Sequence, residues 1–266
     1  MSTPRYQLPD LLALMQQLRD PQRGCPWDRK QNFASIVPYT LEEAYEVADS
    51  IEREDWQALK GELGDLLFQV VFYCQMAQEK GWFGFDDVVD SVSEKLVRRH
   101  PHVFGAAQFA DTAAVNANWE AEKARERQQK DASATSVLDD IPLALPALTR
   151  ANKIQKRCAA VGFDWPELQP VVDKVHEEIN EVLHEVAQPV RAEGRVAEEW
   201  GNLMFATVDH GRRLKTKPEQ VLREANSKFE RRFRGVEQDL SRMGLDVRVS
   251  TLDQMEAAWQ RVKDSE

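Results

Sequence analysis

The sequence predicts an all-α fold from three observations. Apolar residues recur at steps of three and four positions over long segments, which is the spacing of one face of an α-helix. The 266 residues are 42% hydrophobic and 30% charged but include only 12 glycines and 12 prolines, a composition typical of a soluble, helix-rich globule. A similar acidic helical pattern occurs twice, in residues 39–72 and 173–208, which favours two modules over one.

The first three helices follow from the apolar spacing. One is predicted over residues 8–18 and ends at the turn-rich segment DPQRGCPWD. Helical spacing resumes near residue 41 and continues through 51, and it returns over 56–78. Residues 62–73 of this last segment are polar along one narrow strip only, so we expect its helix to be mostly buried.

Two more helices are predicted before the middle of the chain. The first covers residues 85–99, because Pro101 disfavours helical geometry at the residue before it. Residues 106–117 lack a clear period, whereas 119–129 predict a charged helix. The segment KDASATS that follows has the composition of a linker.

The second half then repeats the motifs of the first in the same order, which indicates an internal duplication. The motif GCPW at 24–27 corresponds to GFDW at 162–165. We therefore predict one module at 1–130, a linker at 131–147 and a second module at 148–266. The corresponding residues are Glu42 and Glu177, Glu43 and Glu178, Glu46 and Glu181, Glu62 and Glu199, Asp65 and Asn202, Lys95 and Lys228, Arg99 and Arg232, and Trp119 and Trp259.

Charge and cysteine content narrow the class of protein. A net charge of −10 disfavours non-specific binding to nucleic acid or to an anionic membrane, which needs a basic surface. The longest apolar segment, near residues 63–73, is too short to span a bilayer. Three widely spaced cysteines suit a reducing compartment. We expect a cytoplasmic protein with no membrane or nucleic-acid partner.

The repeated carboxylates predict a metal site. On a helix, Glu42, Glu43 and Glu46 lie within a stripe roughly 100° wide. If the next helix packs antiparallel, Glu43 and Glu46 meet Glu62 and Asp65, and no lysine or arginine lies along that strip to neutralise them. Because four unpaired carboxylates in one groove are unfavourable and oxygen-only ligation suits hard cations, the pattern indicates Mg²⁺ or Mn²⁺. A solvent-exposed acidic face remains the alternative.

The basic pairs indicate what such a metal would hold. Lys95 and Arg99 are four residues apart, as are Lys228 and Arg232, so each pair can reach one anion from one helix face. Cations beside metal-binding carboxylates suit a polyphosphate. The alternative is that these residues are solvated or form ion pairs within the helix.

These motifs together resemble MazG proteins, which are nucleoside triphosphate pyrophosphohydrolases of the all-α NTP pyrophosphatase superfamily. The similarity covers nearly the whole chain, in GCPWD, PYTLEEAYEV, GELGDLLFQVVF, RRHPHVF, KIQKRCAAVGFDW and KFERRFR. It implies tandem four-helix-type modules whose helices assemble across a homodimer. It also implies Mg²⁺-dependent hydrolysis of NTPs, ATP included, to nucleoside monophosphate and pyrophosphate as a nucleotide-pool house-cleaning activity, with Mn²⁺ as a possible substitute.

The resemblance also implies roles for individual residues. Glu177 or Glu42, next to a metal ligand, is the expected general base or water-positioning residue, and Glu178 is counted with the catalytic groups. The expected metal ligands are Glu178, Glu181, Glu199 and Asn202 in the second module and Glu43, Glu46, Glu62 and Asp65 in the first. The expected substrate-binding residues are Lys174, Glu177, Arg195, Glu198, Asn202, Lys228, Arg231, Arg232 and Trp259, with Lys95 and Arg99 in the first module.

One position departs from the acidic pattern. The second module has Asn202 where the first has Asp65, and an amide oxygen can ligate a metal but brings no charge. We therefore expect this site to be weakened or to need high Mg²⁺. Two alternatives stay open: a metal-binding regulatory or scaffold protein, and a narrow dUTP or dCTP pyrophosphatase. No motif specifies a base.

Overall fold

The computed structural model describes residues 5–130, 136–190 and 192–266, and within them it confirms the all-α class. These residues form eleven α-helices and one short 3-10 helix, Asp28–Lys30, with no strand. The contacts divide the chain into two compact units, Met1–Lys130 and Asp131–Glu266. Residues 131–135 of the predicted linker lie outside the described residues. The internal duplication stays a prediction.

The first unit is built from six helices. Two of them, over 8–18 and 85–99, have the predicted boundaries. The helices are α1 (Leu8–Leu18), α2 (Phe33–Glu52), α3 (Trp56–Glu79), α4 (Phe85–Arg99), α5 (Pro101–Phe104) and α6 (Thr112–Lys130).

Two helices begin earlier than the apolar spacing predicted, because capping residues start them. At α2, Asn32 Oδ1 accepts a hydrogen bond from the Ser35 amide at 3.1 Å, and Ser35 Oγ accepts one from the Asn32 amide at 2.9 Å. This reciprocal cap satisfies free amides of the first turn, and the helix tolerates Pro38 in its interior. At α6, Asp111 Oδ1 accepts from the Ala114 amide at 2.8 Å.

The core of the first unit lies between α1, α2 and α3. Its buried members are Met15, Ile36, Val71, Phe72 and Met76. The helices α2 and α3 pack along their length, joined by a turn of only three residues, 53–55. A turn this short makes them antiparallel, which places the acidic faces of both helices side by side.

The prediction that α3 is mostly buried was wrong for its first half. The buried residues of α3 all lie between Gln69 and Ala77. Leu63 and Leu67 keep 50% and 40% of their surface exposed. An apolar helix surface is covered only where another helix reaches it, and α1 packs against α3 near the Met15 core.

The second unit contains five helices. Helices α8 and α9 form its main antiparallel pair, α7 packs on α9, and α10 pairs with α11 around buried Val236, Leu240 and Ala258. None of the helices in the described part of the chain is both long and apolar enough to cross a bilayer. The five are α7 (Ala147–Ala160), α8 (Gln169–Val186), α9 (Glu193–Arg213), α10 (Pro218–Arg242) and α11 (Leu252–Asp264).

Candidate functional site

Three carboxylates meet between α8 and α9 of the second unit. Glu178 and Glu181 are one turn apart on α8, and Glu199 faces them from α9. One oxygen from each lies within 4.8 Å of the others. We call this set the second acidic cluster. Sequence spacing predicted this convergence, since residues three apart share a helix face.

Glu178 is the most deeply placed member of the second acidic cluster. It is only 5% exposed, and its Oε2 has no hydrogen-bond partner in the described structure. Burial, together with Glu178 nearby, raises the pKa of Glu181 above its usual range. A buried carboxylate oxygen without a partner is unfavourable unless a cation binds it. The oxygen-only donor set suits a hard divalent ion.

Lys174 lies beside the same cluster. Its Nζ is 2.8 Å from Glu178 Oε1 and 2.9 Å from Glu177 Oε1. Hydrogen bonds to Glu178 and then to Glu177 raise the pKa of Lys174. Glu177, one of the two residues expected to act as general base, therefore has a lysine partner in this structure. The charge of the expected base is balanced by a lysine one turn away, a contact that the i, i+3 spacing allows.

Arg195 supplies a second cation near the second acidic cluster. Its guanidinium lies 3.5 Å from Glu185, 3.8 Å from Glu198 and 3.9 Å from Glu199. Arg195, Glu185 and Glu199 border a cleft of about 880 Å³, which we call the acidic cleft. The residues that line it are Asp173, His176, Glu177, Asn180, Glu181, His184, Glu185, Arg195 and Glu199.

Asn202 contacts the second acidic cluster at Glu199. Its Nδ2 donates a hydrogen bond to Glu199 Oε2 at 3.0 Å. The Oδ1 atom is therefore the one through which Asn202 can ligate a metal. The amide also offsets some of the negative charge of Glu199, which the aspartate of the first module cannot do.

Arg231, Arg232 and Trp259, three of the substrate-binding residues expected on α10 and α11, lie together, and both arginines are already ion-paired. Arg232 donates to Glu266 Oε2 at 2.6 and 2.9 Å, and Arg231 donates to Glu266 Oε1 at 3.1 Å. The Arg232 guanidinium also lies 5.9 Å from the centre of the Trp259 ring. Within the described residues, no hydrogen bond or ion pair joins Lys228, Arg231 or Arg232 to the second acidic cluster.

The first unit holds a similar set, the first acidic cluster, formed by Glu43 of α2 and Glu62 and Asp65 of α3. One oxygen from each lies within 4.8 Å of the others. Burial raises the pKa of Glu43, and Asp65 and then Glu46 raise it further. Glu46 therefore lies beside Glu43 but outside the close set of three oxygens. Glu42 is exposed.

In the first unit, Lys95 and Arg99 were predicted to bind phosphate, but Arg99 is already paired with a carboxylate. Arg99 forms an ion pair with Glu126 of α6, and the Glu126 side chain is only 15% exposed. The backbone oxygen of Arg99 accepts a hydrogen bond from Trp119 Nε1 at 3.2 Å. Arg99 is therefore ion-paired, although not within its own helix as the alternative reading expected. The pattern of α4 could not show this, because the partner lies on another helix. Lys95 is partly buried on α4.

Two features of the second unit were not predicted from the sequence. One is the network in which Arg212 donates to Asp164 at 2.7 and 2.9 Å and to Asp209 at 2.6 Å, which ties the GFDW loop to α9. The other is Gln155 of α7, which is 7% exposed. The aspartate of GFDW was a visible signal for the network, whereas nothing in the sequence marked Gln155.

Fold and site together define a class of protein. It is an all-α protein in which antiparallel helix pairs gather carboxylates suited to a divalent metal, with a lysine and an arginine beside one cluster. Cations next to such a metal site suit a phosphate-bearing ligand.

Comparison with known proteins gives the family. Residues 31–104, which contain the first acidic cluster, match the family model described as the MazG nucleotide pyrophosphohydrolase domain. The nucleoside triphosphate pyrophosphohydrolase of Escherichia coli (strain K12) is 57% identical over 260 residues, 98% of each chain. The nucleoside triphosphate pyrophosphohydrolase/pyrophosphatase MazG of Thermotoga maritima is 38% identical, over 96% of this chain and 94% of its own. The chain belongs to the MazG family.

Proposed function

We propose that this protein hydrolyses nucleoside triphosphates to nucleoside monophosphates and pyrophosphate with Mg²⁺, and that Mn²⁺ can substitute. The observation that carries the proposal is the second acidic cluster, in which a buried oxygen of Glu178 lacks a partner beside Glu181 and Glu199. The activity named for the relatives from E. coli and T. maritima supports it.

In the second unit, different residues bind the metal and accept the proton. Glu178, Glu181 and Glu199, with Asn202 Oδ1, would hold the metal. Mg²⁺ held by these residues would offset phosphate charge and would lower the pKa of a coordinated water. Glu177, which lines the acidic cleft and pairs with Lys174, would accept the proton of the attacking water.

The cations then bind the phosphate chain. Lys174 and Arg195 already lie against carboxylates of the second acidic cluster, so they can turn to phosphate oxygens without crossing the cleft. Arginine forms two parallel hydrogen bonds to a phosphate, and lysine acts as a point charge. Glu198 Oε2 lies 3.8 Å from Arg195 Nη1 and pairs with the same guanidinium.

A homodimer is part of this proposal. Large apolar side chains stay exposed on α9 and α10, among them Phe205 at 43% and Phe229 at 56%. Apolar surface of this kind is buried when subunits associate. In a dimer, Lys228, Arg231, Arg232 and Trp259 of one copy can approach the acidic cleft of the other. The first unit, with Glu42, Glu43, Glu46, Glu62, Asp65, Lys95 and Arg99, has the same metal chemistry.

The physiological setting follows from the substrate. Nucleoside triphosphates are cytoplasmic metabolites, so the protein acts in the cytoplasm and removes unwanted nucleotides. Asn202 favours a second candidate function, a metal-binding regulatory protein with weakened catalysis, because this residue contributes no charge to the metal site.

The test is turnover of the eight common NTPs and dNTPs with Mg²⁺, with pyrophosphate and orthophosphate measured separately. We expect pyrophosphate as the primary product from several nucleotides, and at least about 100-fold slower release by a Glu178→Gln variant. Turnover of one base only would indicate a narrow pyrophosphatase, and metal binding without turnover a regulatory protein. Orthophosphate as the primary product would refute the proposal.

A further inference from the structure

A second cavity lies beside the second acidic cluster, between α7, α8, α9 and the GFDW loop. Its volume is about 460 Å³, and we call it the aromatic cavity. Glu178, Lys174 and Asn202 line it, so it opens against the residues that would hold the metal and the phosphates. Other lining residues are Ile154, Gln155, Cys158, Phe163, Trp165 and Phe205.

Gln155 gives this cavity an unused polar atom. Its Nε2 donates to the backbone oxygen of Phe205 at 2.8 Å, and this bond fixes which way the amide faces. Its Oε1 is buried and has no partner in the described structure. Because a buried acceptor without a partner is unfavourable, a ligand that carries an N–H donor would satisfy it.

Aromatic rings surround the same space. Phe163 is 82% exposed and Trp165 is 44% exposed, so both rings are accessible from solvent at the edge of the cavity. The Asp164 side chain between them is held by Arg212, which fixes this loop to α9. Flat rings on a fixed loop offer a stacking surface to a planar ligand.

We propose that the aromatic cavity binds the base of the nucleoside triphosphate, and that Gln155 Oε1 accepts a hydrogen bond from an N–H group of that base. The inference rests on the proposed function, since the phosphates of the same molecule lie at the second acidic cluster. Glu178 and Asn202, which the cavity shares with the metal site, make the two regions continuous. A cavity of this size accommodates a purine as well as a pyrimidine.

This geometry predicts which bases bind. The Gln155 amide can present only its oxygen, because its nitrogen is held by Phe205. A base with an amino or imino N–H satisfies that oxygen, whereas a base without one leaves it buried and unpaired. A site that hydrogen-bonds a group of its substrate rejects analogues that lack this group. The loss of one neutral hydrogen bond that leaves a buried partner unpaired lowers kcat/KM roughly 10- to 100-fold.

The experiment compares ATP with purine riboside triphosphate, whose base has no N–H donor. For the wild-type protein we expect kcat/KM for ATP to be about 10- to 100-fold higher. For Gln155→Met, which keeps the length of the side chain but removes the acceptor, the two values should become nearly equal. A ratio measured within one variant does not depend on the fraction of molecules folded.

Gln220→Met is the matched control, because Gln220 is exposed on α10 and bonded to Glu224, away from the cavity. It should keep the wild-type ratio. Equal turnover of both nucleotides by the wild type, or an unchanged ratio in Gln155→Met, would overturn the base-binding proposal and leave the hydrolase proposal standing. No turnover of either nucleotide by the wild type would refute both.

Discussion

At the residue scale, the environment of Asn202 differs from that expected for an aspartate. Its amide donates to Glu199, whereas an aspartate there would place two carboxylates about as close as this hydrogen bond. Such a pair repels unless a cation lies between the groups. Asparagine therefore reduces the repulsion between side chains in the metal-free site. It also weakens the attraction of the site for the metal.

The hydrogen bond from Asn202 to Glu199 predicts the effect of Asn202→Asp. The Mg²⁺ concentration that gives half-maximal pyrophosphate release should fall about 10-fold, because the site gains a charged ligand. Thermal unfolding without metal should occur at a lower temperature than in the wild type, and Mg²⁺ should reverse the difference. Asp65→Asn is the control, since it makes the opposite change in the first unit. If Asn202→Asp alters neither rate nor Mg²⁺ requirement, Asn202 does not weaken the site.

Single residues were predictable where helix geometry alone brings them together. Glu178 and Glu181 share a face through their i, i+3 spacing, and the antiparallel turn of a helix pair adds Glu199. Gln155 was not predictable, because its importance comes from one oxygen left without a partner after its nitrogen bonds to α9. That condition depends on tertiary packing.

At the scale of elements, the contact between α4 and α6 could not be predicted from the spacing of apolar residues. Apolar spacing and Pro101 predicted the boundaries of α4, but the start of α6 depends on the cap at Asp111. The residues after this cap are small and carry little periodic signal. Once α6 is formed, Glu126 reaches Arg99 on α4. An ion pair between helices distant in sequence follows from the fold and cannot be read from either helix by itself.

The pair between Arg99 and Glu126 makes stability depend on pH. The hydrogen bond from Arg99 lowers the pKa of Glu126 from its ordinary 4.5 to about 2. Because the folded pKa is the lower one, this stabilisation is fully present above about pH 4.5 and is lost as pH falls toward 2. Glu126→Gln should lower the free energy of unfolding by about 1–2 kcal/mol at pH 7 and by much less at pH 2.

Urea unfolding followed by circular dichroism at pH 7, 4 and 2 measures this difference. Glu94→Gln is the control, because Glu94 makes an exposed i, i+4 pair with Arg98 at 3.1 Å. It should change the free energy of unfolding by less than about 0.5 kcal/mol. A destabilisation by Glu126→Gln that is the same at all three pH values would show that the charge of Glu126 is not its cause.

At the scale of the whole molecule, the chain has an acidic cluster in each unit, and their surroundings differ. In the second unit, Lys174 and Arg195 lie at the cluster and the acidic cleft opens beside it. In the first unit, Arg99 is held by Glu126. Phosphate binding needs cations that can turn to the ligand, so we expect the second unit to carry most of the activity although it has the less charged metal site.

Two matched variants of the full chain test this division. Glu178→Gln and Glu43→Gln each remove one carboxylate charge from corresponding positions while keeping the side-chain size. Glu178→Gln should lower kcat for pyrophosphate release at least about 100-fold, because a buried ligand of the metal loses its charge. Glu43→Gln should leave kcat within about 3-fold, since the second unit stays intact.

A large loss in Glu43→Gln with little change in Glu178→Gln would place catalysis in the first unit, where all four carboxylates are retained. It would also mean that the charge of Asp65 matters more for turnover than the cations beside the second acidic cluster.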